Sequence, residues 1–228
     1  MEPISGTAAI LRSHAAKYGF EFLAKAYEKF QSDRKIKSLE LLLTKLFERL
    51  NHLESRIDKE GYKPDEFFEM FNLTAEAAAK TSRDEKIEIL ARLLTNVFLK
   101  PGPDKLDYTE LEHFARCIDA LSIEAIHVHG VICRLVRAKY RAAGHHDSST
   151  LNGHISSHEL SIAPEFEKKD ADLVLGLVSQ LAVWNLVQTS LPPIRKINER
   201  GWLEGELIFL TSLGGRLLDF IASERNRE

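Results

Sequence analysis

The sequence predicts a mainly α-helical protein with a small β-hairpin near its C-terminal end. Over most of the chain, apolar residues recur at steps of three and four, which is the spacing of one helical face. Glycine and proline separate the helical segments, most clearly at residues 100–103, Lys-Pro-Gly-Pro. Two short extended segments, near 194–197 and 206–210, flank the turn-forming residues 199–201 and predict the hairpin.

The break at residues 100–103 predicts two regions. Residues 1–104 form a helical self-association region, and residues 105–228 form a helical linker followed by a smaller domain that carries the hairpin. The chain has 228 residues, 44% apolar and 29% charged, which is enough for two globular domains of ordinary composition. The formal net charge of −3 argues against a general polyanion-binding protein.

A heptad repeat in the first region predicts a helix that self-associates. Arg49 and Glu54 occupy g and e positions beside its apolar seam, as the charged pairs of a parallel homodimer do. An apolar bundle within one chain is the alternative, because Leu41, Leu42 and Phe47 widen the apolar surface beyond a two-stranded stripe. The pattern fits both arrangements. The seven seam residues are Ile36, Leu39, Leu43, Leu46, Leu50, Leu53 and Ile57.

The last hundred residues predict a helix near 123–136, a short helix near 158–163, a third helix near 170–187, the hairpin and a final helix. Leu210, Thr211 and Gly214 stand where the last extended segment runs into that final helix. This order resembles the winged-helix superfamily, in which a "Leu-Thr-x-x-Gly" sequence commonly begins the last helix. The resemblance covers roughly residues 121 to 224.

The winged-helix resemblance implies a nucleic-acid surface. In that family the third helix enters the major groove of DNA and the wing touches the backbone. Carried over to this sequence, the resemblance assigns contacts with nucleic acid or an acidic partner to two residues of the third helix and three of the wing. These residues are Ser179, Gln180, Arg195, Lys196 and Arg200.

Charge argues against DNA as the partner. The third helix begins with Asp170 and Asp172, and no lysine or arginine follows before Arg195. Residues 156–228 contain 8 Lys and Arg against 11 Asp and Glu. Because DNA affinity comes largely from cations that contact phosphate, we expect this region to bind protein. A dimeric winged-helix transcription regulator is the alternative.

A second resemblance concerns the N-terminal half. A heptad helix, a phenylalanine-rich helix and the segment Asp84–Asn96 occur in an order that resembles uncharacterised helical bacterial proteins of mobile elements and phage defence. The charge-free stretch Leu173–Ile194 adds the alternative of a membrane-acting defence effector. Gln180, Asn185 and Gln188 interrupt that stretch, so we expect a buried helix there instead of a membrane span.

No catalytic, metal or cofactor motif stands out in the sequence. It lacks GxSxG, a Walker sequence and GxGxxG, and among the nine histidines only His154 and His158 approach the spacing of zinc ligands. The cysteines Cys117 and Cys133 are sparse, without CxxC spacing, and no signal peptide is apparent. We therefore expect a non-enzymatic, cytoplasmic regulatory or adaptor protein that acts through self-association and protein contacts.

Overall fold

In a computed structural model, the chain is mainly helical with a small three-stranded antiparallel sheet. The mainly helical class predicted from the sequence is confirmed. The chain divides into two compact units, Met1–Ala120 (unit 1) and Leu121–Glu228 (unit 2). The structure describes residues 36–58, 61, 63–102, 105–142, 153–166, 169–190, 196–197, 203–204 and 206–222.

Unit 1 is a helical bundle in the part that is described. Helices α1 and α3 pack against each other, and α2 packs against α1, α3 and α4. Pro64 occupies the first turn of α2, where its missing N–H leaves no helical hydrogen bond unmade. The elements are α1 (Ile36–His52), a short 3₁₀ turn (Glu54–Arg56), α2 (Pro64–Lys80), α3 (Asp84–Val97) and α4 (Tyr108–Ala120).

The predicted heptad seam of α1 lies in the core of unit 1. Arg49, which was predicted to pair with Glu54 of a second chain, donates instead from Nη1 to Glu88 Oε1 in α3 at 2.7 Å. The buried face is wider than a two-stranded stripe, as the alternative of a bundle within one chain requires. The side chain of Ile36 lies outside the described residues. The buried residues of α1 are Leu39, Leu42, Leu43, Leu46, Phe47 and Leu50.

Helix α1 ends at His52, whereas the heptad repeat predicted a helix through Ile57. After the 3₁₀ turn, the chain is extended and forms an antiparallel bridge between Ile57 and Leu99. The N–H of Asp58 donates to the Phe98 carbonyl at 2.7 Å. These contacts with the end of α3 satisfy backbone groups that a longer helix would have paired internally. Leu53 is half-buried and Ile57 is buried, but neither belongs to the helix.

The division between the units lies one helix later than the break at residues 100–103. Helix α4 packs against α2 and α3, and it therefore belongs to unit 1. Lys105 anchors the connection into α4, because its Nζ donates to the carbonyls of Asn96 and Val97 at the end of α3. The proline and glycine residues mark a turn inside unit 1.

In its described residues, unit 2 combines four helices with the sheet. Strand β5 is central, and β1 and β2 pair with it on either side, both antiparallel. Ile208 of β5 stands opposite Ile155 of β1 and Thr189 of β2. The elements are α5 (Ile123–Ala142), β1 (His154–Ser156), α6 (Ser157–Ser161), α7 (Ala171–Val183), β2 (Val187–Ser190), β3 (Lys196–Ile197), β4 (Leu203–Glu204), β5 (Leu207–Leu210) and α8 (Ser212–Ala222).

The core of unit 2 lies between the sheet and helices α5, α7 and α8. Ile208 and Leu210 of β5 are buried, whereas Leu207 and Phe209 are only half-buried. This alternation is expected for a strand with one face on the core. Ile155 adds to that face from β1. Ser156 caps α6 through a capping box with Glu159, whose carboxylate accepts from the Ser156 N–H at 2.7 Å.

The sequence Leu210-Thr211-x-x-Gly214 fixes the start of α8 against the end of α7. Thr211 Oγ1 lies 2.7 Å from the Asn185 carbonyl, to which it donates, and accepts from the Gly214 N–H at 3.0 Å. A Cβ at Gly214 would lie only 2.1 Å from the Leu186 carbonyl oxygen. Glycine is therefore required here because two backbone segments approach too closely for any side chain.

Strands β1, β2 and β4 of unit 2 were not predicted from the sequence. The predicted pairing of segment 194–197 with segment 206–210 is wrong, because β3 pairs with β4 and the second segment forms β5 of the three-stranded sheet. Strand β1 falls at the end of the Gly-, Ser- and His-rich stretch 144–157, and β2 begins at Val187, where the predicted third helix ends. Both strands have four residues or fewer. Their stability depends on pairing with β5, which is distant in the sequence and invisible to local periodicity.

Candidate functional site

Helix α7 has well-defined ends within unit 2. The Asp170 carboxylate caps its start by accepting from the Asp172 N–H at 2.9 Å. At its other end, Asn185 adopts a left-handed conformation with φ 55°. The Leu186 N–H then donates to the Leu181 carbonyl at 3.0 Å, a common way to close a helix. The helix therefore stops at Val183, four residues before the predicted end.

One side of α7 is buried and the other faces solvent. Val174, Val178 and Leu181 lie in the core of unit 2. The exposed positions fall within about 120° around the helix axis, given 3.6 residues per turn. Leu173 is 57% exposed and Val183 is 81% exposed, among the most exposed large apolar side chains described. The exposed face consists of Asp172, Leu173, Gly176, Ser179, Gln180 and Val183.

The exposed face of α7 carries no positive charge. Its single charged residue is Asp172. Ser179 and Gln180, assigned by the winged-helix resemblance, are both exposed on this face. The Ser179 hydroxyl donates to the Leu175 carbonyl of its own helix at 3.0 Å. Lys169, which precedes the helix, stands over the ring of Phe166 at 5.7 Å. The face offers a surface with one negative charge, no positive charge and an apolar residue near each end.

The predicted wing is described only in part. Strands β3 and β4 pair antiparallel, and Lys196 stands directly across from Glu204. Arg195 and Arg200 lie outside the described residues, as does the side chain of Lys196. Among the five residues assigned to a nucleic-acid surface, Ser179 and Gln180 are therefore the two whose surroundings can be described.

Three cations of α5 are paired with carboxylates of unit 2. Arg134 donates to Glu165 at 2.6 Å, and this hydrogen bond lowers the pKa of the Glu165 carboxyl. Arg137 pairs with Asp219 of α8. Lys139 lies 3.1 Å from Glu159. These pairs stabilise the packing of α5 and reduce the positive charge that this helix presents to an anion.

No family model, curated protein or solved structure matches this chain. The two resemblances stated from the sequence therefore stay predictions. Function has to be inferred from the geometry and chemistry of the described residues.

The two cysteines are unsuited to nucleophilic chemistry. Cys117 Sγ lies 3.4 Å from His113 Nε2, and Cys133 Sγ lies 3.5 Å from His129 Nε2. Burial raises the pKa of both thiols to about 12. Burial also lowers the pKa of His129 to about 4, although a hydrogen bond to the Gly214 backbone opposes this shift. At neutral pH the Cys133–His129 pair is therefore a thiol beside a neutral ring, not a thiolate.

The other features considered from the sequence also have structural outcomes. Within the described ranges, no three His, Cys, Asp or Glu side chains are grouped as metal ligands are. His154 lies in β1, with its ring 5.3 Å from that of Phe209. No described helix has the length and apolar character needed to cross a bilayer. The charge-free stretch Leu173–Ile194 instead contains most of α7, its terminating turn and β2.

Sequence reasoning missed the apolar residues of the candidate site. Leu173 and Val183 belong to the stretch that was interpreted as a helix buried on most sides. Leu173 and Val183 fall on one helical face with Gly176 and Gln180, at steps of three, four and three residues, and this spacing could have shown that they lie on the same side. The apolar residues of the opposite side, Val174 and the other core residues, made the whole helix look buried and hid this face.

Proposed function

We propose that this protein is a non-enzymatic regulatory or adaptor protein that acts through self-association and protein contacts. The proposed contact surface is the exposed face of α7. One observation carries the proposal: this face has two large, highly exposed apolar residues and no lysine or arginine. Leu173 and Val183 stand on one side of α7 about 15 Å apart along its axis, so a partner that lies along the helix would bury both.

A winged-helix architecture for unit 2 is part of the proposal. It is supported by the order of α5, β1, α6, α7, β2, the β3–β4 hairpin, β5 and α8, and by the central place of β5 in the sheet. In that architecture α7 corresponds to the helix that enters the DNA groove in DNA-binding members. Its exposed position would make it available to a protein partner in the same way.

Electrostatics favour a protein over DNA as the partner of α7. A duplex carries one negative charge for about every 1.7 Å of its axis, and lysine and arginine supply most of the compensating contacts. Asp172 would add repulsion at the start of the helix. Burying Leu173 and Val183 against a protein instead removes apolar surface from water, which stabilises the complex.

We place self-association on α7 instead of the Ile36–Ile57 seam. The central seam residues Leu43, Leu46 and Leu50 are fully buried within their own chain. Pairing through them would require the core of unit 1 to open, at a large cost in stability. Contact through α7 requires no such rearrangement. The thiol chemistry of Cys117 and Cys133 supports the non-enzymatic assignment, and unpaired thiols fit the reducing cytoplasm.

A DNA titration tests the proposal. Fluorescence anisotropy of a labelled duplex is measured with the full chain at about 50 mM and about 200 mM salt, together with the variant Arg195→Glu/Lys196→Glu. We expect no saturable binding at protein concentrations up to about 100 μM at the lower salt, because that range covers ordinary non-specific affinity. Salt-sensitive binding that the wing variant abolishes would overturn the proposed function in favour of a DNA-binding regulator.

A further inference from the structure

Four exposed residues of α7 have the spacing of a helix–helix seam. Leu173, Gly176, Gln180 and Val183 are separated by three, four and three residues, and all four face solvent. This is the spacing by which one helix packs along another. Because it lies opposite the buried stripe of the same helix, the seam is available to a further helix.

The seam is symmetric about its own midpoint. Leu173 and Val183 are each five positions from residue 178, and Gly176 and Gln180 are each two positions from it. We propose, on the basis of the proposed function, that α7 pairs antiparallel with α7 of a second copy of this chain. A two-fold axis at the level of residue 178 brings Leu173 opposite the partner's Val183, and Gly176 opposite the partner's Gln180.

The shapes of the paired residues are complementary. A Cβ at Gly176 would have no atom within 4 Å, so this part of the face is open. The long Gln180 of one copy fills the space above the glycine of the other, while an apolar pair closes each end. A symmetric interface must be complementary to itself, and this face meets that condition because each bulky residue has a small or apolar counterpart.

Charge favours the antiparallel orientation over the parallel one. In a parallel pair, Asp172 of each copy would lie beside its equivalent, and like charges side by side are unfavourable. In the antiparallel pair, the two Asp172 residues are about 18 Å apart along the helix axis, from a rise of 1.5 Å per residue. That separation exceeds the screening length of about 8 Å at physiological salt.

The small size of the face predicts a weak, reversible dimer. One helix of 13 residues supplies much less contact area than a stable dimer of standard size buries. We expect a dissociation constant of about 10–1,000 μM, the range of weak and transient contacts. The interface would therefore respond to local protein concentration.

Cysteine cross-linking tests the pairing. Leu173→Cys and Val183→Cys are prepared separately in the full chain and oxidised at about 1 mM protein, the upper end of the expected range of dissociation constants. An equimolar mixture should form a covalent dimer that joins one variant to the other, because positions 173 and 183 meet across the interface. Each variant alone should stay unlinked, because identical positions are about 15 Å apart along the axis.

The outcomes separate the two proposals. Cross-linking of the mixture alone supports the antiparallel pair. Efficient linking of either variant to itself, or no linking in any sample, overturns the pairing with a second copy. The buried Cys117 and Cys133 do not compete, and wild-type protein treated in parallel controls for them. Failure of the pairing rejects α7 as the self-association surface, whereas the duplex titration decides separately whether the partner of this face is a protein or DNA.

Discussion

Gly214→Ala should destabilise unit 2 strongly, although alanine is the better helix former. The new Cβ would lie 2.1 Å from the Leu186 carbonyl oxygen and 3.0 Å from its carbonyl carbon, both of which are backbone atoms. Residues at the start of α8 would have to move by about 1 Å, and such overpacking typically costs about 1–3 kcal/mol.

The same movement would strain the hydrogen bonds that Thr211 makes with Leu186 and Gly214. Each such bond contributes about 1 kcal/mol. The higher helix propensity of alanine offsets about 0.5–1 kcal/mol of this loss in stability. We therefore expect a net loss of about 2–4 kcal/mol, which lowers the melting temperature of a unit of this size by about 10 °C or more.

Tryptophan fluorescence is the assay for this change, because Trp184 and Trp202 are the two tryptophans of the chain and both belong to unit 2. Gly130→Ala in α5 is the matched control, since a Cβ there meets no atom within 4 Å. It should raise stability by about 0.5–1 kcal/mol. If Gly214→Ala leaves the urea or thermal midpoint unchanged or raises it, as Gly130→Ala is expected to do, the close approach of α8 to Leu186 is refuted.

Three further predictions concern the cores of the two units. Leu46→Ala should lower the stability of unit 1 by about 2–5 kcal/mol in urea unfolding monitored by circular dichroism. Thr44→Ala, at an exposed position of the same helix, should change it by less than about 0.5 kcal/mol. A change in oligomeric state without loss of stability in Leu46→Ala would contradict this prediction. His129 binds a proton more readily when unfolded, because its pKa falls from 6.5 to about 4 on folding. The free energy of unfolding should therefore fall by about 3 kcal/mol as the pH falls from 6.5 to about 4. His129→Gln should remove that part of the pH dependence. Cys117 and Cys133 should react with a thiol reagent at pH 7.5 only after urea unfolding, and rapid labelling of the folded chain would show that they are accessible.

Local sequence patterns were sufficient to predict much of the helical structure. The apolar repeat of α1 corresponds to its wide buried face. The sequence of Leu210, Thr211 and Gly214 corresponds to the close approach of two backbone segments at the start of α8. The end of α1 at His52 was not predictable in this way. It depends on pairing of Ile57 with Leu99, a contact between segments that are far apart in the sequence.

The same limit applied to the candidate site. The apolar run around α7 indicated burial, but periodicity alone does not say which side of a helix faces the core. Packing of α7 against α5 makes that choice and leaves Leu173 and Val183 exposed. The end of α7 was predicted too late because Leu186 and Val187, which follow the left-handed Asn185, continue the apolar pattern after the helix has closed.

The central claim, that the chain self-associates through the exposed face of α7, is tested most directly by sedimentation equilibrium of three chains: wild type, Gly176→Glu and Gly130→Glu. Both substitutions add one charge at a helical glycine with open space above it, so neither should disturb the fold. We predict that the average mass of wild type and of Gly130→Glu rises toward that of a dimer with concentration. Gly176→Glu should stay monomeric, because it brings two carboxylates within about 6 Å along the axis. Equal self-association of Gly176→Glu and wild type, or a wild type that stays monomeric at about 1 mM, would contradict the claim.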